Sequence, residues 1–312
     1  MVSQLRSGRQ SVSVKLSQLA LVVATDLENT KQCVCSDYII FLKIFEAYRD
    51  KKARYLRGDY PTKEVLSSVK NALKRASILA RDHDYKRYWR ILPVTDGAAE
   101  EVACLIDPFC YVSHLSAMQR YGLTVRRPEF LYLTQPAKPV FQESAAEMRT
   151  SELASMHLVS DVYESVELPE VKMVRHPGKV RDRKVHVKTT AYPGEHRRIR
   201  GASVRVGAIG QVFCDMIEDP ELCGGMAHVI ETWRSFAHVY VDEIIETISN
   251  SSRPIVKVRA GYLLDEIVGV SDPRIDQWLA FSQRGGSRVL DPAAKHTGQF
   301  SEKWMIATNV GS

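Results

Sequence analysis

The chain has 312 residues, of which 45% are hydrophobic and 26% are charged, so its length and composition fit a globular protein of two domains. The longest apolar stretch near the N-terminus, residues 19–24, is too short to span a bilayer and lacks the layout of a secretory signal. We therefore predict a cytoplasmic protein without membrane contact. The six cysteines contain no CxxC pair, which argues against a zinc finger, so we predict neither a metal nor a cofactor.

Charge is distributed along the chain in blocks. Residues 1–92 hold 18 Lys and Arg against 9 Asp and Glu, and residues 171–205 hold 11 against 2. The two remaining blocks are acidic, so the net charge of +6 conceals two strongly basic segments. Concentrated positive charge suits a polyanionic partner, because each neutralised phosphate releases condensed counterions. A solvated basic face is the alternative for either segment.

The N-terminal extension, residues 1–36, carries weaker patterns than the rest of the chain. Apolar residues between positions 14 and 23 predict a short helix that packs on the next domain or on another subunit, which leaves a homodimer open. Residues 1–10 have the composition of a flexible basic tail.

Residues 37–95 predict a winged helix-turn-helix domain. Asp37 is a candidate cap for a first helix, Pro61 stands near the start of a second, and two short strands flank the polar connection 82–87. In such a domain the last helix enters the major groove of DNA and the hairpin contacts the flanking backbone. Asn71 is a candidate to read an adenine edge, while lysines suit phosphates. The residues expected to contact DNA are Lys63, Lys70, Asn71, Lys74, Arg75, Arg81, Lys86, Arg87 and Arg90.

Residues 96–312 predict a second, larger domain that mixes helices and strands, so the expected fold class is α+β. A loop and an amphipathic helix that ends at Gly122 carry the phrase YVSHLSAMQRYGLT. This phrase resembles one in the AbiEi family of bacterial type IV antitoxins, where it opens the antitoxin domain directly behind a winged helix. Further segments that resemble the family are residues 130–134, 205–216, 220–225 and 258–264.

The resemblance implies a non-enzymatic regulator with a C-terminal antitoxin domain. Such a protein would repress its own operon by binding inverted repeats in the operator DNA. It would also counteract a co-encoded nucleotidyltransferase-type toxin, often without a tight complex, in a toxin–antitoxin system of phage defence.

Two further patterns in the second domain carry expectations of their own. Apolar residues at three- and four-residue steps predict one long helix over residues 225–248. Residues 171–205 alternate Val or Met with basic residues and predict a basic sheet edge or hairpin that faces nucleic acid, an acidic partner or solvent. The candidates for this secondary basic surface are Arg181, Arg183, Lys184, Lys188, Arg197, Arg198 and Arg200.

Two other functions remain open. Asp161, Glu170 and Lys172 have the D…ExK spacing of magnesium-dependent nucleases, in which carboxylates hold the metal and a lysine assists the attacking water. Ser113 and His114 are a poor catalytic dyad, because neighbouring side chains on a helix point in different directions. A non-enzymatic DNA-binding adaptor that recruits a partner through residues 225–248 is the second alternative.

Overall fold

A computed structural model describes residues 15–155, 168–283, 288–295 and 299–310. These residues form a mixed α+β fold, as predicted. They divide into two compact units: the first contains the residues up to Ala98 and Glu143–Val174, and the second contains Ala99–Gln142 and the residues from Arg175 onward. Over the described residues, every helix is too short or too polar to cross a membrane.

The predicted domain border at residue 95 lies close to Ala98, where the first unit gives way to the second along the chain. Residues 143–174 depart from the prediction. The sequence assigns them to the second domain, whereas in the structure the described residues 143–155 and 168–174 group with the first unit. The physical reason is apolar packing, because Met148, Leu168 and Val171 lie against the core of the first unit.

In its described residues up to Ala98, the first unit contains three helices and a three-stranded antiparallel sheet in the order β1-β3-β2. Its core is formed by the buried faces of the helices, with Ile40, Phe41, Ile44 and Phe45 almost completely inaccessible to solvent. In chain order its elements are α1 (Gln18–Asn29), β1 (Val34–Cys35), α2 (Asp37–Arg49), α3 (Lys63–Arg75), β2 (Leu79–Arg81) and β3 (Trp89–Ile91).

Local polar contacts fix the ends of these elements. Ser36, rather than the predicted Asp37, caps α2, because its hydroxyl accepts a hydrogen bond from the Ile39 amide at 3.2 Å. The connection between β2 and β3 is held by the buried Asp82 carboxylate, which accepts from the amides of Asp84 at 3.0 Å and Tyr85 at 2.9 Å. The hairpin therefore has a defined tip at the predicted position.

The second unit is organised around a mixed six-stranded sheet in the order β6-β7-β5-β4-β9-β8. Its longest pairing is parallel and runs between β5 and β7. The strands are β4 (Tyr111–Val112), β5 (Leu131–Pro136), β6 (Lys179–Val180), β7 (Arg183–Thr190), β8 (His196–Arg198) and β9 (Arg205–Gly207), with a separate pair β10 (Phe300–Ser301) and β11 (Ile306–Ala307).

Helices surround this sheet and form the C-terminal part of the unit. The helices are α4 (Ala99–Ile106), α5 (His114–Arg120), α6 (Lys138–Ser155, whose residues from Glu143 on belong to the first unit), α7 (Ile209–Glu218), α8 (Met226–Phe236), α9 (Val241–Asn250), α10 (Pro254–Tyr262) and α11 (Pro273–Asp276). A π-helix, Leu263–Val268, continues α10, and short 3₁₀ helices occupy Pro220–Cys223, Ala237–Val239 and Gln277–Phe281.

The prediction of one long helix over residues 225–248 is wrong, because this segment consists of α8 and α9 with a 3₁₀ turn between them. Val229, Trp233, Ile244 and Ile248 are nevertheless fully buried, as their spacing predicts. The spacing of apolar residues identifies the buried face of each helix. It does not detect the turn between the two helices, because the apolar spacing continues through the turn.

Two glycines allow close packing in the second unit. A Cβ atom on Gly210 in α7 would lie 2.2 Å from the Glu243 carbonyl oxygen in α9, and one on Gly261 in α10 would lie 2.1 Å from the Trp304 ring. Trp304 is completely buried, as is Ile306, so the last described residues pack back as their apolar side chains indicate. Phe300 is the exception, since it is half exposed.

Candidate nucleic-acid interface

Helix α3 has one apolar and one basic side. It buries Leu66, Val69 and Leu73 and leaves the opposite side in solvent. Basic residues in its last turn also suit the negative end of the helix dipole, which is a local reason for them that is independent of any ligand. The predicted contact residues exposed on this helix are Lys63, Asn71, Lys74 and Arg75.

Lys70 differs from the other predicted contact residues of α3. Its ammonium lies 2.7 Å from one carboxylate oxygen of Asp37, and only 17% of its side chain is exposed. The other oxygen of Asp37 accepts a hydrogen bond from the Trp89 indole at 2.6 Å. Asp37 therefore ties α3 and β3 to the start of α2, and the structure gives Lys70 a protein partner in place of the predicted phosphate.

Replacement of Asp37 by alanine is expected to destabilise the first unit by about 1–2 kcal/mol, because the Lys70 ammonium and the Trp89 indole both lose their acceptor. This loss of stability is at the low end of the range for hydrogen bonds to a charged group, because 41% of the Asp37 side chain is exposed to solvent. Urea unfolding of the full chain measures this change, with Asp59→Ala as an exposed control. Equal unfolding midpoints for the two variants would show that the Asp37 contacts contribute nothing.

Arg90 also has a structural position that the sequence did not indicate. Its guanidinium donates to the carbonyl oxygens of Cys33 at 2.9 Å and Val94 at 2.5 Å, and it also contacts that of Ile91. Its Nε lies 3.3 Å from Asp96, and only 13% of the side chain is exposed. Arg90 therefore fastens β3 to β1 and to the following loop, so its guanidinium is directed away from the predicted role on the wing.

Two of the remaining basic residues, Lys74 on the helix and Arg81 on the hairpin, lie beside the same indole ring. The Arg81 guanidinium lies 3.7 Å from the centroid of the Trp89 ring, and the Lys74 ammonium lies 5.8 Å from it. Arg81 also donates to the Arg87 carbonyl oxygen at 3.0 Å. We use the name α3–hairpin surface for the exposed residues Asn71, Lys74, Arg75, Arg81, Lys86 and Arg87.

The second basic block does not form one surface. Arg181, Arg183, Lys184 and Lys188 lie at or within the β6–β7 hairpin, whereas Arg197 and Arg198 lie on β8, at the opposite edge of the sheet. Three strands separate β7 from β8, which corresponds to about 19 Å at the usual strand spacing. The block therefore contains a hairpin, β6–β7, as one of the two predicted alternatives, but its basic residues lie at both edges of the sheet, because the chain crosses the sheet between β7 and β8.

Several residues of this block have protein partners. Lys188 lies 3.6 Å from Glu218 and also pairs with Asp219, while Lys184 lies 2.5 Å from Glu129. On the β8 side, the Arg197 guanidinium lies 4.9 Å from the Tyr121 ring centroid, and Arg197, Arg198 and Arg200 are exposed. The exposed arginines of the secondary basic surface therefore concentrate at the β8 edge.

The Ser113–His114 pair has a geometry that the sequence did not predict. The two side chains meet, with His114 Nδ1 2.7 Å from Ser113 Oγ, because Ser113 is extended and His114 has a φ of +50°. Ser113 Oγ also accepts a hydrogen bond from Thr134 at 2.8 Å, and His114 Nε2 lies 3.6 Å from Asp219. Ser113 and His114 are 0% and 1% exposed, so this is an internal polar network that a substrate does not reach in this arrangement.

This network makes stability depend on pH. Burial alone would raise the pKa of Asp219, but its contacts with His114 and Lys188 outweigh burial and lower the pKa to about 2. A pKa lowered by folding stabilises the native state above the unfolded pKa, near 4, and this contribution is lost as the pH falls toward 2.

Asp219→Asn is accordingly expected to cost about 1–2 kcal/mol at neutral pH, with the lower value favoured because a third of the side chain is exposed. The difference from the wild type should disappear as the pH falls through the range 4 to 2. Urea unfolding of both proteins at a series of pH values measures this difference in stability, with Glu231→Gln, at an exposed position, as the control. A difference that stays constant with pH would contradict the assignment to the Asp219 carboxylate.

The proposed nuclease residues are only partly described. Glu170 and Lys172 lie 3.5 Å apart, and 77% and 67% of their side chains are exposed. Asp161 lies outside the described residues.

Comparison with known proteins gives distant similarity among solved structures. No family model matches the chain, and no curated protein matches it. Among solved structures, the crystal structure of the RV2827C protein from Mycobacterium tuberculosis is similar, with 14% sequence identity and a TM-score of 0.45. The similarity covers 94% of this chain and 92% of that chain. At this identity and TM-score, it assigns no function to this protein.

Proposed function

We propose that this protein is a regulator that binds duplex DNA through a winged helix-turn-helix in its first unit. The order of elements supports this, because α1, β1, α2, α3 and the β2–β3 hairpin follow one another as in such a domain. In that architecture α3 is the recognition helix and the hairpin is the wing. At 13 residues, α3 is about 20 Å long, which suits insertion into the major groove.

The observation that carries the proposal is the convergence of helix and hairpin cations on the α3–hairpin surface. Lys74 of α3 and Arg81 of β2 share the face of the Trp89 ring, so one duplex could contact both elements at once. Asn71, one turn before Arg75, supplies a side chain able to pair with an adenine edge. Lys70 and Arg90 act differently, since their internal contacts hold the helix and the wing in place.

The antitoxin role of the second unit is proposed on the resemblance to the AbiEi family alone. In this role the protein represses its own operon and opposes a co-encoded nucleotidyltransferase-type toxin without being an enzyme itself. The segments that carry the resemblance lie in structural elements of the second unit, namely β4 with α5, β5, β9 with α7, and α10. Two residues within these segments, Gly210 and Gly261, lie where a Cβ atom would collide with a neighbouring element. Close packing therefore explains why glycine occupies these two positions.

Two experiments test the two halves of the proposal separately. Binding of the full chain to the DNA upstream of its own gene, compared with a shuffled duplex of equal length, tests DNA recognition; equal affinity for both would count against a repressor. Growth during co-expression with the neighbouring gene tests the antitoxin half, and no rescue from a toxic neighbour would rule out the antitoxin role.

Magnesium-dependent cleavage of the duplex that is lost in Glu170→Ala would instead favour the nuclease. A stable partner recovered where no toxin gene is adjacent would favour the adaptor.

A further inference from the structure

A group of metal-ligating side chains lies buried in the second unit, apart from the basic surfaces. The donor atoms of Asp107, Cys110 and His176 all lie within 4.8 Å of one another. Asp107 and Cys110 are 1% and 0% exposed, and the His176 side chain is fully buried. The three residues come from the end of α4, the entry to β4 and the segment before β6, so the fold brings together groups that are distant along the chain.

The contacts of these residues orient their donor atoms toward each other. His176 Nε2 lies 3.2 Å from one oxygen of Asp107, while the other oxygen accepts a hydrogen bond from the Phe109 amide at 2.9 Å. The sulfur of Cys110 lies 3.5 Å from the Ala103 carbonyl oxygen and 3.6 Å from that of Asp107. A carboxylate that is fixed by a backbone amide and faces an imidazole and a thiol has the orientation that metal ligands require.

Arg205 on β9 holds the loop that carries two of these residues. Its guanidinium donates to the carbonyl oxygens of Cys104 at 2.7 Å and Cys110 at 2.8 Å, and it also contacts that of Asp107. The Arg205 backbone amide lies 3.5 Å from the sulfur of Cys104, which is itself 2% exposed. The loop is therefore fixed at both ends, with a second thiol at its start.

We propose that Asp107, Cys110 and His176 bind a zinc-class divalent cation, with Cys104 as the fourth ligand. Thiolate, imidazole and carboxylate together are the donor set of zinc and its neighbours, whereas magnesium and calcium take oxygen ligands. Charge supports the fourth ligand, because two thiolates and one carboxylate balance the combined charge of the cation and the Arg205 guanidinium. The expectation of no metal rests on the missing CxxC spacing. Asp107 and Cys110 lie on one loop, but this pair has only one cysteine, and His176 is 66 residues further along the chain, so the site shows no CxxC spacing.

The test uses the full chain, its zinc content after purification and its absorption spectrum with Co²⁺ as a probe. The wild type should retain a single equivalent of zinc, and Co²⁺ should give the bands of a tetrahedral site with thiolate charge transfer. Cys110→Ser, His176→Gln and Cys104→Ser should each weaken binding by at least about 10-fold. Cys223→Ser is the matched control, because Cys223 is a fully buried cysteine elsewhere in the same unit.

A second measurement keeps the proposal testable if the variants do not fold. Removal of zinc from the wild type by a chelator should lower its melting temperature, and added zinc should restore it, because the cation binds the native state. A wild type that contains no zinc, gives Co²⁺ no thiolate band and melts at the same temperature with and without chelator would overturn the proposal. Asp107 and His176 would then form only a buried hydrogen bond.

Discussion

Replacement of Lys74 and Arg81 together by alanine is expected to weaken binding to the upstream DNA by roughly 10- to 100-fold, because two phosphate contacts and their counterion release are lost. Both side chains are exposed. Removal of Lys74 costs the fold a cation–π contact with Trp89, and removal of Arg81 costs such a contact and one hydrogen bond to the Arg87 carbonyl oxygen. The loss should therefore appear in affinity far more than in stability. Fluorescence anisotropy with a labelled duplex measures the affinity.

Two control variants separate the α3–hairpin surface from other sources of charge. Lys51→Ala/Arg54→Ala removes the same charge from exposed positions outside that surface and should leave affinity nearly unchanged. Lys70→Met removes the internal ion pair with Asp37 and should lower stability without a comparable loss of affinity. Equal loss of affinity in the first control would show that overall charge, rather than this surface, attracts DNA.

Gly210→Ala is expected to destabilise the second unit by about 3 kcal/mol or more, which exceeds the usual cost of overpacking. The added methyl would lie 2.2 Å from the Glu243 carbonyl oxygen and 2.2 Å from the Thr247 hydroxyl. The first of these is a backbone atom of α9, so the contact can be relieved only if the two helices move apart. Thermal or urea unfolding of the full chain measures the effect.

Gly178→Ala provides the matched comparison for this prediction. A Cβ atom at Gly178 has no heavy atom within 4 Å, so the same change in chain entropy occurs there without a contact. We expect this variant to unfold close to the wild type. A Gly210→Ala protein within about 0.5 kcal/mol of the wild type would contradict the close approach of α7 and α9, since that is the range of an uninvolved surface change.

Helices α2 and α3 and the β2–β3 hairpin of the first unit were predictable from the sequence, whereas β1, the addition of part of α6 and the partners of the basic residues were not. Helical spacing and the polar hairpin connection locate α2, α3 and the β2–β3 hairpin, because local patterns decide them. The pairing of Lys70 with Asp37 joins residues of different helices, and periodicity carries no information about such a contact. The position of Arg90 is unpredictable for the same reason, since its acceptors are backbone carbonyls just before β1 and in the loop after β3.

In the second unit, the sequence indicated strands and helices but not their arrangement. Residues 171–205 look like one basic segment in the chain, yet the sheet order places β7 and β8 on opposite sides of β5, β4 and β9. Ser113 and His114 look divergent until the positive φ of His114 is known. Asp107 and Cys110 are neighbours on one loop, but the approach of His176 to them depends on tertiary structure, because it lies far along the chain.

The salt dependence of binding to the upstream DNA tests the central claim most directly. If the α3–hairpin surface contacts the backbone, the logarithm of the association constant falls linearly with the logarithm of the salt concentration. The slope should then decrease in magnitude by about 2 in Lys74→Ala/Arg81→Ala, one for each lost phosphate contact, and stay unchanged in Lys70→Met. An identical slope for the wild type and the double variant, with no preference for upstream over shuffled DNA, would contradict the claim that α3 and the hairpin form a DNA interface.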